Sequence, residues 1–458
     1  MIADVSLNQG APPLHREGAA RHVGLGAIAG SFVRRAILIS LLWSGTVAAG
    51  SAQMAGTEAT PPPLTVERSN PIETPSREYS ALPVGGWLLY PSVFVGAVFD
   101  DNVAQSGTSR VSSTGLRVVP SLAAETNDGI HRTVVYGTLD GRLENVASSN
   151  SVAARAGFSH RYEAATDLIV TVQGDFTRQR DLIGTFGLDH ASPIPDGNAL
   201  TIAPIANLQS YNQYGGSASI QKTFDQTFLS LSASAIGVAY DDAGIGPQSP
   251  SGAVHTLTAR GGRWVVPFLY AFAEASIDQR RYAIDTLNSH GYRTVGGIGS
   301  EQIGLFRGEI YGGYQSQQYD LAGLGSVGAG VIGGRLYYSP TRALTLRASV
   351  DQSLGAGVLA SASTTPAGTS TRVTTALLQA NYAIAPEWSV SGRFGRFRTE
   401  YVGDTRLDDA WTAGATIDYS VWRNFGVTLD YQFTDVSSNV LLQNFRRNVL
   451  SLGVTYRY

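Results

Sequence analysis

The sequence predicts an all-β protein: a transmembrane antiparallel up-and-down β-barrel of about 18 strands, or 16 if one hairpin is miscounted. Three observations predict this fold. Apolar and polar residues alternate from Gly86 onward, short turns alternate with long loops, and the last strand ends on an aromatic residue, Tyr458. Alternation over about ten residues is typical of strands that turn one face to lipid and the other to a polar interior.

The composition excludes several other classes. Charged residues make up 15% of the chain, 52 residues are Gly and none is Cys. Without Cys there is no disulfide, no thiolate nucleophile and no Cys-ligated metal. A hydrophobic content of 43% argues against disorder, and a net charge of -3 gives no reason to expect nucleic acid. A large soluble β-protein and an outer-membrane barrel both fit these figures.

The N-terminal part of the chain predicts export. Arg34 and Arg35 precede an apolar stretch at 36–49, and small residues follow up to Ala52. This order is typical of a secretory signal peptide, so we assign residues 1–52 to it. Residues 53–86 contain six of the 19 Pro residues and are interpreted as a Pro-rich periplasmic linker, or alternatively as a small plug or docking strap. The barrel is then assigned to residues 87–458.

The barrel strands follow from the alternation and from the turns that bound it. In the last strand, Leu450, Leu452 and Val454 lie on one face, while Ser451, Gly453 and Thr455 lie on the other. An even number of strands places both chain ends on the side of the short turns. The predicted strands are 91–105, 111–126, 131–146, 151–164, 168–184, 208–224, 227–240, 253–266, 268–284, 290–303, 305–320, 327–339, 342–355, 371–385, 387–402, 407–422, 424–439 and 446–458.

The face opposite the apolar one carries charged residues, which decides between a membrane barrel and a soluble one. A barrel of this width has an interior that side chains cannot fill, and charges are favourable there only if water is present. A β-helix or a propeller would not explain the alternation of long loops and short turns. The predicted pore-lining residues are Asp140, Arg142, Glu144, Arg307, Glu309, Arg347, Asp351, Asp418, Asp430 and Arg457.

The last eight residues match the insertion signal of outer-membrane barrels, with Ser451, Gly453, Tyr456 and Tyr458 at its key positions. This signal predicts the barrel assembly machinery as a partner. The surrounding partners are then outer-membrane lipid and lipopolysaccharide, in the outer membrane of a Gram-negative bacterium.

Residues near the start of the predicted barrel resemble a known family. The segments 77–83, 87–92 and 99–103, together with 119–122 and the turn at 127–132, are similar to the opening of the putative β-barrel porin type 2 family. The resemblance implies a bacterial outer-membrane protein. Some members are encoded with exopolysaccharide synthesis and export systems, and the family has no established catalytic residues.

The chain has no recognisable catalytic or cofactor motif, so we predict that it is not an enzyme and needs no cofactor or metal. Gly-x-Ser-x-Gly, His-Glu-x-x-His and phosphate-binding loops are all missing from the sequence. Asp100, Asp101 and Asn102 place three oxygen-bearing side chains in a row. They are interpreted either as a Ca²⁺ site or as an Asx turn with solvated carboxylates.

The leading functional hypothesis is a passive channel for small polar solutes. Arg and carboxylate rows across the interior create a field that favours polar solutes. The long loop 185–208 is a candidate constriction through Asp189, His190 and Asp196, or else an ordinary surface loop. The alternatives are a component of exopolysaccharide secretion, with an export partner docked on 53–86, and a structural barrel closed by its loops. Small residues at Ala233, Ala235, Ala271, Ala273 and Ala275 suggest homotrimer contacts.

Overall fold

The computed structural model describes residues 81–146, 149–179, 210–241, 251–283, 285–303, 305–356, 370–439 and 444–458. The predicted signal peptide and all but the last residues of the predicted linker therefore lie outside the described residues. Apart from a 3-10 turn at Asp285–Leu287 and a 3-10 residue at Ser149, the regular structure of the described residues is β-strand. None of the described helices is long and apolar enough to cross a membrane.

The strands are β1 (Leu82–Val84), β2 (Trp87–Asp100), β3 (Ser113–Asn127), β4 (His131–Glu144), β5 (Ser151–Ala165), β6 (Leu168–Gln179), β7 (Tyr211–Phe224), β8 (Thr227–Tyr240), β9 (Gly252–Val266), β10 (Leu269–Tyr282), β11 (Ser289–Ile303), β12 (Phe306–Tyr319), β13 (Ser326–Thr341), β14 (Leu344–Ala356), β15 (Ser370–Ala385), β16 (Trp388–Tyr401), β17 (Leu407–Ser420), β18 (Phe425–Ser438) and β19 (Phe445–Arg457).

These strands form one closed antiparallel barrel. Each strand from β2 to β19 pairs with its neighbours in the sequence, and β19 pairs with β2 to close the ring. The short strand β1 only folds back on the start of β2. Eighteen strands therefore form the barrel, which confirms the predicted fold class and excludes the count of 16.

The first barrel strand begins earlier than the alternation predicts. It runs from Trp87 to Asp100 rather than over 91–105, so Pro91 lies inside it. Pro91 accepts a hydrogen bond at its carbonyl from the Tyr458 N–H, at 3.2 Å. In an antiparallel ladder a residue's N and C=O point to the same side, so the missing N–H of Pro91 faces the place where β19 ends. Pro91 lies opposite Tyr458, so the missing N–H removes only the reciprocal bond at the last position of this ladder.

The outer wall is apolar and carries aromatic residues at two levels. Near the short turns, the Trp388 and Tyr419 rings lie 4.4 Å apart between centroids, and those of Phe425 and Tyr456 lie 5.0 Å apart. Nearer the long loops, Trp411 and Phe433 lie 4.7 Å apart. Two such rows are typical of the girdles that membrane barrels place at the two lipid–water interfaces.

Candidate functional site: the barrel interior

The ten predicted pore-lining residues all lie on the interior face of their strands. Each alternates with residues of the outer wall, as Asp140 and Arg142 do with Leu139 and Leu143, which are exposed by 51% and 64%. Successive residues of a strand face opposite sides, and counting along each strand in this way places the other eight on the interior face: Glu144, Arg307, Glu309, Arg347, Asp351, Asp418, Asp430 and Arg457. That these residues line a path for solutes stays a prediction.

The largest group of interior charges lies on β9–β14 and is named the charge cluster: Arg260, Glu274, Arg293, Glu309 and Asp351. Arg260 Nη2 donates to Glu309 Oε2 at 2.7 Å, and Arg293 Nη1 donates to Glu274 Oε1 at 3.2 Å. Arg293 also lies 3.7 Å from Asp351. The two arginines are each 6% exposed, so these ion pairs are shielded and stronger than pairs on an open surface.

Aromatic rings on the same wall support the charge cluster. Phe228, Tyr270 and Phe272 pack together, and Trp264 and Tyr311 lie against them. The Arg260 guanidinium stacks 3.7 Å from the centre of the Phe272 ring, a cation–π contact. Glycines make room for these rings, since a Cβ at Gly297 would lie 2.8 Å from Phe272. The rings can therefore lie along the wall and fix the arginine in place.

Further round the barrel, four other predicted residues have interior partners: Asp430, Asp418, Arg457 and Asp140. Arg393 of β16 donates to Asp430 at 2.8 Å, and the Thr416 hydroxyl donates to the same carboxylate at 2.6 Å. Asp418 accepts from the Thr428 hydroxyl at 2.6 Å and lies 3.7 Å from Arg457. On β3 and β4, Arg117 forms a two-pronged pair with Asp140 at 2.7 and 3.0 Å. The interior is thus lined by opposed charges on several walls.

The Asp100–Asn102 segment forms an Asx turn, but the expectation of solvated carboxylates is wrong for Asp100, which is 1% exposed. Asn102 N–H donates to Asp100 Oδ1 at 2.9 Å, and Arg447 binds the other oxygen of Asp100 at 2.6 Å. Asp101 receives hydrogen bonds from the backbone and side chain of Asn448. The side chains of all three residues are thus directed to protein partners. The described residues contain no group of three His, Cys, Asp or Glu side chains that could hold a metal ion.

An apolar contact crosses the interior at the end of the barrel that carries the long loops. Tyr211 and Val238 pack against Ala410, Val436 and Phe445, and we name these five residues the apolar bridge. In the ring, β7 and β19 are separated by the five strands β2–β6, and β8 and β17 by the eight strands β9–β16. Residues so far apart along the wall can meet only across the interior. The bridge therefore narrows the outer mouth.

The remaining predicted site residues are those of the candidate constriction loop and those of the insertion signal. Asp189, His190 and Asp196 lie outside the described residues. In β19, Ser451 and Gly453 face the interior, and Tyr456 and Tyr458 face outward with 36% and 43% exposure. Their role as an insertion signal stays a prediction.

Sequence reasoning missed Arg117, Arg260, Glu274, Arg293 and Arg393. The reason is clearest in the first half of β10, where the large apolar residues Tyr270 and Phe272 face inward and the outward residues between Leu269 and Ile277 are Ala271, Ala273 and Ala275. The usual rule that the more apolar face meets lipid does not identify the interior of such a strand. The sequence signal that could have identified the interior face is Glu274, a charged residue at every second position from Tyr270 and Phe272.

Three carboxylates outside the membrane-spanning segments have lowered pKa values. In the turn after β3, the N–H groups of His131 and Ile130 donate to Asp128 at 2.6 and 3.0 Å and lower its pKa. In the turn after β5, Lys222 hydrogen-bonds Asp167 and lowers its pKa. After β12, Arg281 and then His290 lower the pKa of Asp320. These carboxylates remain ionised and tie turns or neighbouring strand ends together.

The closed sheet, its apolar outer wall and its charged interior define a β-barrel of the outer-membrane type. The chain belongs to the family described as Putative beta-barrel porin 2, whose model matches residues 78–458. This confirms the resemblance seen at the start of the barrel.

Among solved structures, the chain is similar to the outer membrane protein opdK from Pseudomonas aeruginosa (13% identity, TM-score 0.40, 81% of this chain and 98% of that chain covered). It is similar to OccK9 (OpdG) from the same organism (13% identity, TM-score 0.43, 81% and 98% covered). It is also similar to the siderophore receptor PirA from Pseudomonas aeruginosa (8% identity, TM-score 0.38, 81% and 80% covered). No curated protein matches the sequence.

Proposed function

We propose that the protein is a passive channel for small polar solutes in the outer membrane of a Gram-negative bacterium. The interior charges carry this proposal, because pairs such as Arg457–Asp418, whose side chains are 22% and 29% exposed, face the interior of a barrel too wide for side chains to fill. Charges in that position are stable when water shares the interior. A water-filled interior that connects the two sides of the membrane is a channel.

The charge cluster also bears on which solutes pass. Its neighbours Arg307, Arg335 and Arg347 face the same part of the interior, so arginines exceed carboxylates there among the described side chains. The rest of the interior pairs the two signs, as Arg393 does with Asp430. We expect neutral polar solutes and weakly acidic ones to pass more readily than cations.

The test is the single-channel conductance of the refolded protein in a planar bilayer, with ion selectivity and block by oligosaccharides measured in the same recordings. The proposal predicts discrete current steps, a modest preference for anions and block by at least one saccharide. Protein that is shown to be folded and that never conducts would contradict the proposal.

A structural barrel closed at its outer end is the second candidate, because the apolar bridge joins opposite walls. Phe445 is 7% exposed and Val436 is 3% exposed within this contact. The same recordings distinguish the two functions, since a closed structural barrel passes no current. A role in exopolysaccharide secretion stays a prediction, to be tested by deleting the gene and measuring secreted polymer.

The proposal includes the partners expected of such a barrel. The apolar outer wall suits outer-membrane lipid, and lipopolysaccharide would meet the rim near Arg396 and Arg398, whose side chains are 55% and 44% exposed. The barrel assembly machinery would insert the chain. A periplasmic export partner on 53–86 belongs to the secretion alternative. A homotrimer belongs to the channel proposal and is tested below.

A further inference from the structure

The ladder between two neighbouring strands, β13 and β14, stops well before the strands themselves end. The ladder between β13 and β14 runs from the Thr341–Leu344 pair only as far as Gly333–Asp351. Beyond that point β13 remains paired with β12 up to Ser326, and β14 remains paired with β15 up to Ala356. We name the stretches 326–332 of β13 and 352–356 of β14 the seam. It lies in the half of the barrel nearer the long loops.

At the seam, the edge of β14 is bonded to side chains of the interior wall. The Leu354 N–H donates to Gln315 Oε1 at 2.9 Å, and the Leu354 carbonyl accepts from Arg280 Nη2 at 3.1 Å. Gln315 and Arg280 belong to the interior faces of β12 and β10. Two side chains thus bind the backbone groups of Leu354 where the ladder to β13 has ended.

The burial of the two edges shows which one lies inside. Strand parity assigns Leu354 to the lipid-facing side, yet it is only 1% exposed. Val331 faces the interior from β13 and is also 1% exposed. Both values are explained if the edge of β14 lies on the interior side of β13. The two strands therefore overlap at the seam instead of pairing edge to edge.

The side chains that hold Leu354 are themselves braced. Arg280 Nε donates to Asp278 at 2.9 Å, and Gln317 donates to the same carboxylate at 3.2 Å and to Ser289 at 3.1 Å. We name Arg280 and Gln315 the latch. An open sheet edge within the hydrocarbon region leaves polar groups unsatisfied at several kcal/mol each, so barrels close their ladders. A break that is held by a buried polar latch points to a function for the break.

The chemistry differs on the two sides of the seam. Outside, the wall consists of Gly328, Gly330 and Ile332, next to the outward rings of Tyr314 and Tyr292, which lie 6.5 Å apart. Gly330 pairs with Tyr314, so the seam reaches the level at which aromatic residues meet lipid head groups. Inside, Arg293 lies level with the seam, because it pairs with Gln315 and Gln315 pairs with Ala329. Further toward the short turns, Arg307, Arg335 and Arg347 add positive charge to the same wall. A molecule suited to both sides has an apolar chain and an anionic head.

We propose that the seam is a lateral opening between the barrel interior and the outer leaflet for a single-chain anionic amphiphile. The acyl chain lies between β13 and β14, and the head group meets the arginines of the interior wall. The apolar bridge narrows the direct route through the mouth, which leaves the seam as a second route for such a molecule. Breaking the hydrogen bonds of the latch opens the seam. This inference goes beyond the channel for polar solutes and does not depend on it.

The test uses dodecyl phosphate with a photoreactive diazirine at the end of its alkyl chain, added to the full-length protein in lipid vesicles. After illumination, the modified peptides are mapped by mass spectrometry. We expect modification to concentrate on 328–332 and 352–356 and to be competed by plain dodecyl phosphate but not by dodecyl maltoside. Modification spread over the lipid-facing wall in proportion to its exposed area would overturn the proposal, because it reports only surrounding lipid.

A cysteine pair provides the decisive variant, since the natural chain has no Cys. Continuing the β13–β14 register by two residues would place Val331 opposite Ser353, so V331C with S353C crosslinks the seam in a paired, closed form. The matched control is L336C with A348C, which already face each other in the regular part of the ladder. Oxidation should abolish seam labelling in the first protein only, and reduction should restore it. Unchanged labelling in the oxidised seam pair contradicts the proposal.

A second variant keeps the test informative if the seam cysteines do not oxidise. Gln315→Ala removes one half of the latch and should increase labelling of the seam. Gln432→Ala, another buried interior glutamine but on β18, should leave it unchanged. Equal labelling in both variants and in the natural protein argues against the latch and the opening. Since the readout is labelling, a failure to conduct in bilayers would leave this inference standing.

Discussion

Gly453 and Gly96 face each other across the ladder that closes the barrel. A Cβ at Gly453 would lie 2.4 Å from the Val95 carbonyl oxygen and 2.5 Å from the Cα of Gly96. Real Cβ atoms do not approach backbone so closely, so a larger residue must push β19 away from β2. The glycine that forms part of the predicted insertion signal therefore also has a packing reason to be glycine.

Gly453→Ala should destabilise the barrel by about 1–3 kcal/mol, the usual cost of forcing extra atoms into a packed site. The measurement is urea unfolding of the refolded protein in detergent micelles, followed by tryptophan fluorescence. Gly392→Ala is the matched control, since nothing lies within 4 Å of a Cβ at that position in β16. Equal destabilisation of the two variants would show that the closing ladder tolerates the methyl group.

Glu309 contributes one of the negative charges of the charge cluster. Its carboxylate accepts from Arg260 at 2.7 Å and from the Tyr270 hydroxyl at 3.4 Å. Glu309→Gln removes one negative charge where arginines are already in excess, so the reversal potential in a salt gradient should shift toward anion selectivity. Arg260→Gln should shift it the opposite way. Shifts of the same sign in both variants would place the charge cluster outside the ion path.

At the scale of strands, the alternation of residues was enough to predict all the barrel strands. It succeeded because one face must meet lipid and the other water, so each strand has its own pattern. It failed at Pro91, where the exception depends on β19 ending beside that residue. It also could not predict the seam, because the alternation continues through Val331 and Leu354 although the pairing has stopped. Pairing between neighbours depends on both strands at once.

The charge cluster illustrates the same limit. Parity places Glu309 inside the barrel, and sequence reasoning found it. Its partner Arg260 lies three strands away. The contact between the two side chains depends on how far β9 is displaced along the barrel axis relative to β12. Sequence reasoning could therefore assign the faces of strands but not the partners across several strands.

The outer ends of β10, β11 and β12 are tied together by Asp320, which contacts Arg281 and His290. These partners lower the pKa of Asp320, so its stabilising contribution is complete above the ordinary pKa of an aspartate. The contribution is lost only as the pH falls through the lowered pKa.

Asp320→Asn should therefore loosen this rim at neutral pH, whereas the natural protein should loosen only in strong acid. Hydrogen–deuterium exchange of the peptides around 281–290 and 319–326, corrected for the intrinsic effect of pH, measures this. Faster exchange in the natural protein between pH 7 and pH 5 would contradict the assignment, since the carboxylate stays ionised over that range.

For the molecule as a whole, the apolar bridge is a place where opposite walls of the barrel come together. Phe445 begins β19 and meets Tyr211 and Val238 of the opposite wall. Phe445→Ala should widen the outer mouth and increase the single-channel conductance, at a stability cost of about 3–5 kcal/mol, as for other buried phenylalanines. Phe99→Ala, on the lipid-facing wall where Phe99 is 43% exposed, is the control and should leave conductance unchanged. An unchanged conductance in Phe445→Ala would show that the narrowest point lies elsewhere.

The outer wall has one face suited to contact with a second copy. Ala273 of β10 pairs with Gly261 of β9 and Gly296 of β11, and Gly296 pairs in turn with Gly312 of β12. This row has no side chain larger than a methyl group across four strands. In lipid, where apolar burial alone gives little driving force, small residues favour association because they let backbones approach closely. The proposed homotrimer would form on this face.

Ala273→Trp should therefore reduce the trimer to monomers, since the indole ring separates the two walls. Ala415→Trp is the matched control: Ala415 is also an exposed alanine on the lipid-facing wall, but it lies on β17 and pairs with Tyr431. Both variants add the same apolar ring to lipid, so a difference between them reports contact rather than insertion. The measurement is native mass spectrometry of protein released from mild detergent. If both variants remain trimers, the small-residue face has no role in assembly. If the natural protein is monomeric, there is no trimer and the proposed channel is a single barrel.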